Sequence, residues 1–325
     1  MASQIDKNHK SARKMEFFMF TQKPSQIRTE DDSFIDIHVH TVRFPGYPRP
    51  SEHQTFASPA QLVAGYDEVG IESGVILPQV NPECSTTLQS VEEVLDISRN
   101  SGGRFIPFCN LDPRAIMNSP FSPLGDELKY YRDLGCKGVG EVVANLRMLD
   151  PLVQNLFKGA EEAGLPLTFH LTPYTGCGYG LVEDPGLRQL EISLQRFPKL
   201  KFFGHSQMFW TEISKVTSVY EFFGYPKGPV EEGAVPRLMR KYQNLYGDLS
   251  AESGCNALTR DRAYAVNFLN EFQDRLFFGT DICQPSMETL SPLAEFLRAL
   301  RDSGEISKIV FRKVARENAV RVLGL

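Results

Sequence analysis

Cysteine is scarce in this sequence, and its spacing shows no pairing. The 325 residues contain six cysteines, and no two of them form the Cys-x-x-Cys pair found in structural zinc sites and redox motifs. Disulfide frameworks are typical of small secreted domains, whose cores are too small to stabilise them. The sequence therefore favours reduced thiols.

Long apolar runs and an excess of positive charge are also missing. No stretch approaches the ~20 apolar residues of a membrane-spanning helix, and the segment from Met1 to Lys10 lacks the apolar core of a signal peptide. The net charge of -5 gives no electrostatic surface for nucleic acid or an anionic membrane. We therefore expect a cytoplasmic protein whose partner is a small-molecule substrate, with a homo-oligomer left open.

What the sequence does contain is a strand-like segment that ends in two histidines. In Phe34-Ile-Asp-Ile-His-Val-His40, His38 and His40 are two residues apart, so both side chains lie on the same face of a strand. Neutral imidazole is the commonest protein ligand for zinc and related metals. This segment predicts half of the coordination shell of one metal ion.

Other polar residues follow other strand-like segments. His170 and His205 each close a short apolar run, Asp281 comes just after another, and Glu141 ends a fourth. Taken singly, such a residue is more often a structural histidine or a helix cap. Repeated along one chain, the pattern favours a shared metal site.

Short β-rich segments alternate with helical patterns along most of the chain. This alternation predicts an α/β fold, a (β/α)8 TIM barrel, whose active site lies at the carboxyl ends of the strands. We expect a polar extension over residues 1–30 and a single barrel domain over residues 31–325. The predicted strands begin near Phe34, Gly74, Arg104, Gly138, Leu167, Lys201, Leu245 and Leu276. The predicted helices span 58–69, 88–99, 124–134, 151–163, 184–197, 236–242, 260–272 and 287–301.

Two insertions are expected to overhang the mouth of this barrel. Residues 174–180 follow His170 and contain three glycines, while residues 209–232 follow His205 and mix aromatic residues with proline and glycine. Tyr174 in the first insertion is a candidate substrate contact. Three arginines soon after predicted strands are candidate clamps for a substrate carboxylate, although surface ion pairs are an alternative role: Arg43, Arg114 and Arg147.

Six segments match the pattern of a known family. They are Asp36-Ile-His-Val-His40, Asn110-Leu-Asp-Pro-Arg114, Phe169-His170, Gly204-His205, Phe278-Gly-Thr-Asp281 and the C-terminal stretch from Glu317 to Leu325. On these segments the chain resembles the metal-dependent amidohydrolase superfamily. Within it, the chain is similar to the amidohydrolase 2 group of TIM-barrel hydrolases and decarboxylases, the group that includes enzymes like aminocarboxymuconate-semialdehyde decarboxylase.

The resemblance implies roles for the strand-end residues. It implies a divalent metal, usually zinc with manganese or iron as alternatives, bound by His38, His40, His170 and Asp281. It also implies that His205 polarises the substrate or contacts a second ion. The chain departs from two-metal relatives on strand four, because Lys137 precedes that strand and Glu141 ends it. Glu141 is thus a further candidate ligand, and one or two ions stay open.

We expect an enzyme that hydrolyses a C–N or C–O bond, such as an amide, lactone or ester. A bound divalent ion lowers the pKa of water toward ~7, Asp281 would carry the proton, and His205 would stabilise the oxyanion. The alternative on the same site is non-oxidative decarboxylation of an aromatic or unsaturated acid, with Asp281 protonating carbon. A binding module without chemistry and a nuclease are further alternatives; buried unpaired ligands disfavour the first, and the acidic charge disfavours the second.

Overall fold

The computed structural model describes residues 32–48, 54–83, 87–176 and 178–325. The predicted extension over residues 1–30 lies outside these ranges, so its separation from a barrel domain over residues 31–325 stays a prediction. In the described part of the chain, no helix combines the length and apolar character needed to cross a membrane.

The described residues form nine strands, which all pair in parallel. Eight of them correspond to the eight predicted strands, and β6 is an additional short one. The strands are β1 (Phe34–Val39), β2 (Ile71–Ile76), β3 (Phe105–Pro107), β4 (Val139–Val142), β5 (Leu167–Thr172), β6 (Leu181–Val182), β7 (Phe202–His205), β8 (Leu245–Asp248) and β9 (Leu276–Phe277).

Helices follow the strands, and each predicted helix has a counterpart. They are α1 (Pro59–Val69), α2 (Val91–Arg99), α3 (Leu124–Asp133), α4 (Pro151–Ala163), α5 (Arg188–Arg196), α6 (Gln207–Thr211), α7 (Ala234–Lys241), α8 (Ala251–Thr259), α9 (Arg262–Glu271), α10 (Pro292–Asp302), α11 (Lys308–Arg312) and α12 (Asn318–Leu323). A 3-10 turn spans Val219–Phe223, and a π-helical turn at Lys313–Glu317 joins α11 to α12.

Local sequence explains where these helices begin and end. Ser58 and Gln61 form a capping box at the start of α1, Pro59 occupies its first turn, and Gly70 ends it in a left-handed conformation with φ of 88°. Asp150 caps α4 in a similar way by accepting a hydrogen bond from the Leu152 amide. These signals are short-range, which is why the helix positions can be predicted from the sequence.

The strands form two parallel sheets that backbone hydrogen bonds join into a ring. The first sheet has the order β1-β2-β3 and the second β4-β5-β7-β8-β9, with β6 paired to β5. Parallel bridges between Cys109 and Val139 and between Val39 and Ile282 connect the two sheets at both edges. The Asp281 amide also donates to the His38 carbonyl at 2.8 Å. This architecture confirms the predicted (β/α)8 fold.

The core has two parts. A large cluster lies between the strands and the surrounding helices. A smaller one joins strands from both sheets, so it fills the interior of the ring below the strand ends; its members are Ile35, Ile37, Val75, Leu77, Ile106, Phe108, Phe203, Tyr246, Phe277, Ala319 and Leu323. The polar residues at the strand ends therefore lie next to an apolar layer inside the barrel.

The segment after His205 differs from the expected loop insertion. It begins with a helix, α6, whose N-cap is Ser206 and whose residues Phe209 and Trp210 are buried. Gly204 in β7 makes room for the Phe209 ring, which lies 2.2 Å from the position that a Cβ atom would occupy. Phe209 and Trp210 are therefore core residues, whereas Tyr220, Phe223 and Tyr225 later in the segment are exposed.

Candidate metal centre

Polar side chains from opposite edges of the two sheets meet at the carboxyl ends of the strands. His38 and Glu141 are buried, and Asp281, just after β9, keeps about a quarter of its side chain exposed (26%). His40 and His205 complete the group and are also buried. The ring of parallel strands brings together residues that are up to 243 positions apart, because every carboxyl end lies on the same face of the barrel.

The ligand atoms of His38, His40 and Glu141 lie close enough together to hold one ion, and an Asp281 oxygen lies near both imidazoles. The His38 Nε2 atom lies 3.1 Å from His40 Nε2, 3.6 Å from Glu141 Oε2 and 3.5 Å from Asp281 Oδ1. The His40 Nε2 atom lies 3.5 Å from the same Glu141 oxygen and 3.6 Å from the same Asp281 oxygen. Metal–ligand bonds of about 2.0–2.2 Å in a tetrahedral site place the ligand atoms roughly 3.3–3.6 Å apart. Two imidazoles and two carboxylates in this arrangement fit a divalent metal ion.

The outer ring nitrogens of both β1 histidines are engaged by other groups. His38 Nδ1 lies 2.7 Å from an Asp248 oxygen, and His40 Nδ1 lies 2.9 Å from the Leu77 carbonyl oxygen. Such partners select the tautomer that leaves Nε2 free to bind a metal. Asp248 is absent from the sequence prediction, although it ends strand β8 and the rule applied to the other strand ends would have found it.

Glu141 links this cluster to a second group of histidines. Its Oε1 atom lies 2.7 Å from His170 Nδ1 and 3.6 Å from His205 Nε2, on the other side of the carboxylate from His38 and His40. These three residues also have ligand atoms close enough to hold an ion. His170 therefore contacts the cluster through Glu141, and its predicted direct bond to the metal stays a prediction.

The electrostatics of the cluster suit a cation. Burial opposes the charged form of His38, but the carboxylates of Asp248 and Asp281 outweigh it and raise its pKa. Burial likewise opposes the ionised form of Glu141, yet hydrogen bonds from His170 and the two β1 histidines lower its pKa well below the ordinary value. The carboxylates thus favour positive charge at the centre of the site.

His205 has a different environment. Burial and the nearby positive charge of His38 lower its pKa to about 4, so the imidazole is neutral near pH 7. Its Nδ1 atom lies 2.9 Å from the Ser250 hydroxyl oxygen, and its Nε2 atom lies 3.8 Å from Asp281 Oδ2. A neutral histidine beside the free oxygen of Asp281 can donate a hydrogen bond or assist a proton transfer.

The backbone around Asp281 is held from several sides. Asp281 has φ of 54°, in the left-handed region that aspartate tolerates better than most residues. Next to it, Thr280 donates to the buried Asp36 carboxylate from both its amide and its hydroxyl, and Tyr66 donates to the same carboxylate at 2.7 Å. Asp36, the first residue of the Asp-x-His-x-His motif, thus ties β1 to the segment that carries Asp281.

A cleft lies over the cluster. Its described lining residues are His40, Gln79, Glu141, His170, Tyr179, Asp281 and Cys283. The Tyr179 ring covers His170 with a centroid separation of 4.6 Å. Gly180 permits this approach, since its φ is +111° and a Cβ atom would lie 2.9 Å from the His170 ring.

The predicted substrate contacts lie farther out. Arg43 forms an ion pair with Asp96, and Arg147 forms one with Asp184 at 3.0 Å. Arg114 lies between Asp112 and Glu83 at 2.6 and 2.8 Å. None of the three arginines is among the described residues that line the cleft, so their substrate role stays a prediction.

Tyr174 connects the two insertions. Its ring lies 6.1 Å from the Phe223 ring, between centroids, and its side chain is half exposed. Burial raises the pKa of Tyr225, and the carboxylates of Glu252 and Asp281 raise it further. Aromatic side chains from both insertions therefore lie near the mouth of the cleft, and the contact of Tyr174 with a substrate stays a prediction.

Comparisons with known proteins agree with this architecture. The family model described as amidohydrolase matches residues 35–325. A sequence search of curated proteins finds no match. Among solved structures, 5-carboxyvanillate decarboxylase from Sphingomonas paucimobilis is 16% identical with a TM-score of 0.58, over 90% of this chain and 99% of that one.

Two further solved structures cover the same share of this chain. Dihydroxybenzoic acid decarboxylase from Polaromonas sp. JS666, with bound manganese and the inhibitor 2-nitroresorcinol, is 15% identical with a TM-score of 0.55 and is covered over 97% of its length. A probable 2-pyrone-4,6-dicarboxylic acid hydrolase from Acinetobacter baumannii, with citric acid bound, is 13% identical with a TM-score of 0.53 and is covered over 99%. At these identities the similarity shows a shared fold.

Proposed function

From the premise that this chain belongs to the amidohydrolase family, we propose that it is a divalent-metal-dependent enzyme that decarboxylates an aromatic or unsaturated carboxylic acid without an oxidant. The observation that carries the proposal is the convergence of His38 Nε2, His40 Nε2, Glu141 Oε2 and Asp281 Oδ1 at the floor of a cleft. We further propose a small-molecule partner, with neither nucleic acid nor membrane involved.

The metal would be held by His38, His40, Glu141 and Asp281. A divalent ion supplies positive charge that binds a substrate carboxylate and a neighbouring oxygen. Zinc is the metal that the family resemblance implies, and the donor set of two imidazoles and two carboxylates suits zinc and manganese alike. Manganese gains support from the Polaromonas decarboxylase.

The two oxygens of Asp281 allow it to serve both the ion and the reaction. Oδ1 points to the ligand cluster, whereas Oδ2 lies on the side of His205. In the proposed reaction the bond between the substrate carbon and its carboxylate breaks, and the electron pair stays on that carbon. A proton from the Asp281 carboxyl group forms the new C–H bond, carbon dioxide leaves, and a proton from solvent restores the acid. His205 would hydrogen-bond the Oδ2 side and orient that proton.

Hydrolysis of an amide, lactone or ester is the second candidate. Hydrolysis is the reaction expected first from the sequence, and the Acinetobacter pyrone-dicarboxylic acid hydrolase supports it. The Sphingomonas and Polaromonas decarboxylases support decarboxylation at least as well. Both candidate reactions need a metal and one mobile proton at Asp281. The same arrangement of residues is therefore compatible with either of them.

Product analysis distinguishes the two reactions. Protein loaded with manganese or zinc is incubated with pooled hydroxybenzoates, unsaturated acids, lactones and amides, in deuterium oxide and separately in oxygen-18 water. We expect release of carbon dioxide and deuterium on the carbon that carried the carboxylate. Oxygen-18 in a newly formed carboxylate, with no carbon dioxide, would instead establish hydrolysis.

A further inference from the structure

One residue of the cleft has no part in the chemistry described so far. Gln79 lines the cleft together with His40 and Asp281. It lies two residues after Leu77, whose carbonyl oxygen accepts the hydrogen bond of His40 Nδ1. The chain segment that orients a metal ligand therefore also places the Gln79 amide beside the substrate space.

The side-chain oxygen of Gln79 has no partner among the residues that the structure describes. This Oε1 atom is buried and makes no hydrogen bond. Among the described residues with such an unpartnered buried atom, Gln79 is the one that also lines the cleft. A buried carbonyl without a hydrogen bond is destabilising, because it has lost its hydration without gaining a partner. A bound molecule that supplies the missing hydrogen bond would recover this free energy.

The backbone at this position is held in place. The backbone carbonyl oxygen of Gln79 accepts a hydrogen bond from the backbone N–H group of Gln89 at 2.9 Å. The Gln89 side chain is itself buried and donates to the Thr41 carbonyl at 2.8 Å and to Glu93 at 3.2 Å. The backbone of Gln79 is thus connected through Gln89 to the loop after β1 and to α2.

The charges around the cleft restrict what Gln79 can bind. The described lining residues include two carboxylates and two histidines but neither lysine nor arginine. A divalent ion would only balance the charges of Glu141 and Asp281, so one substrate carboxylate would bind through the ion itself and no excess positive charge would remain for another. A second carboxylate would find no cation among these residues, whereas a hydroxyl group would find the neutral amide of Gln79, whose oxygen accepts its hydrogen bond.

We propose that Gln79 is a specificity-determining residue that binds a neutral hydroxyl group of the substrate and disfavours a second carboxylate. This inference rests on the proposed function, because it concerns the same cleft. It narrows the substrate to monocarboxylic acids that carry a hydroxyl group. A substrate without the hydroxyl group leaves the Gln79 amide unpaired in the bound state. This difference in hydrogen bonding gives the selectivity.

The test compares binding rather than turnover. Manganese-loaded protein is titrated calorimetrically with benzoate, 2-hydroxybenzoate, 3-hydroxybenzoate, 2,6-dihydroxybenzoate, phthalate and isophthalate. The variants are Gln79→Met, which keeps side-chain length without the amide, and Gln79→Arg, which adds a cation. Gln284→Met is the matched control, since the Gln284 oxygen is also buried without a partner but does not line the cleft.

In the wild type and the control, at least one hydroxylated benzoate should bind roughly tenfold more tightly than benzoate, the gain typical of one hydrogen bond. Gln79→Met should remove this gain while the dissociation constant of benzoate changes less than about twofold, and Gln79→Arg should bind a dicarboxylate at least about tenfold more tightly than the wild type. An unchanged preference in Gln79→Met, or a dicarboxylate as the tightest wild-type ligand, would overturn the role of Gln79 alone. Metal-loaded wild type that binds none of the six acids would overturn the proposed substrate class together with it.

Discussion

At the scale of single residues, the two β1 histidines depend on different partners. His40 is oriented by a backbone carbonyl, which a substitution cannot remove, whereas His38 is oriented by the carboxylate of Asp248. The same carboxylate lies 3.5 Å from His205 Nδ1. Asp248 therefore contacts the outer ring nitrogens of both a proposed ligand and a proposed catalytic histidine.

Replacing Asp248 should weaken metal binding without removing any ligand. We expect Asp248→Asn to lower metal affinity about 10–100-fold, the usual effect of removing a carboxylate that orients a metal-bound histidine. Competition with a chromogenic chelator measures it. Asp133→Asn is the control, because that carboxylate is exposed and pairs with Arg132 at the surface. Equal affinities of the two variants would contradict the role assigned to Asp248.

Replacing Asp281 should affect the reaction more than metal binding. Asp281→Asn keeps the size of the side chain and removes the acid, so turnover on the substrate found by product analysis should fall about 10²- to 10⁴-fold. Metal content should fall less, because His38, His40 and Glu141 remain. Turnover and metal content are measured on the same preparation, and a metal-replete variant with full activity would refute both proposed reactions.

Glu141 determines how many ions the site holds. Its Oε2 faces His38 and His40, and its Oε1 faces His170 and His205, so the second group has only two ligands besides the shared carboxylate. We expect one ion per chain in the wild type, measured by mass spectrometry of dialysed protein. Glu141→Gln should weaken binding of that ion. Two ions at full occupancy would show that Glu141 bridges a binuclear centre.

At the scale of secondary structure elements, β7 and α6 are joined without a loop. Gly204 packs against the Phe209 ring, His205 is the last residue of the strand, and Ser206 alone separates it from the helix. The position of His205 therefore depends on the close approach of α6 to β7. In a close-packed core an added methyl group at this contact has no space to occupy.

Adding that methyl group should destabilise the protein. We expect Gly204→Ala to reduce the free energy of unfolding by about 1–3 kcal/mol, because the Phe209 ring must move. Gly224→Ala is the control: no heavy atom lies within 4 Å of its added Cβ, and its backbone is extended. Urea denaturation of both variants gives the comparison, and equal stabilities would mean that α6 adjusts freely.

At the scale of the whole molecule, the proposed ligands come from both sheets. His38 and His40 belong to the first sheet, Glu141 to the second, and Asp281 follows the last strand at the edge where the ring closes. An ion bound to all four would connect parts of the barrel that otherwise interact through backbone bridges and side-chain packing. Metal binding should therefore stabilise the fold as a whole.

Removing the metal should lower the melting temperature. A ligand that binds only the native state at 100 times its dissociation constant contributes about 2.7 kcal/mol, which for a chain of this size corresponds to roughly 5 °C or more. Differential scanning calorimetry with and without a chelator measures this shift. In His40→Ala the chelator should have a much smaller effect, and a wild type insensitive to the chelator would contradict the proposed metal centre.

The fold class and the position of the candidate site follow from local sequence patterns. Alternating strand and helix patterns, caps such as Ser58 and stops such as Gly164 depend on neighbouring residues, so they can be recognised locally. In parallel strands the carboxyl ends share one face, which is why residues such as His38 and Asp281 could be assigned to one site from their positions alone.

Which atoms meet, and which side chains are already paired, depends on packing between distant parts of the chain. Arg43 pairs with Asp96, and Glu141 separates His170 from the β1 histidines. Such contacts join residues far apart in the sequence, and their geometry follows from packing between elements rather than from local propensity. The unpartnered amide of Gln79 is likewise visible only when the surrounding side chains are in place.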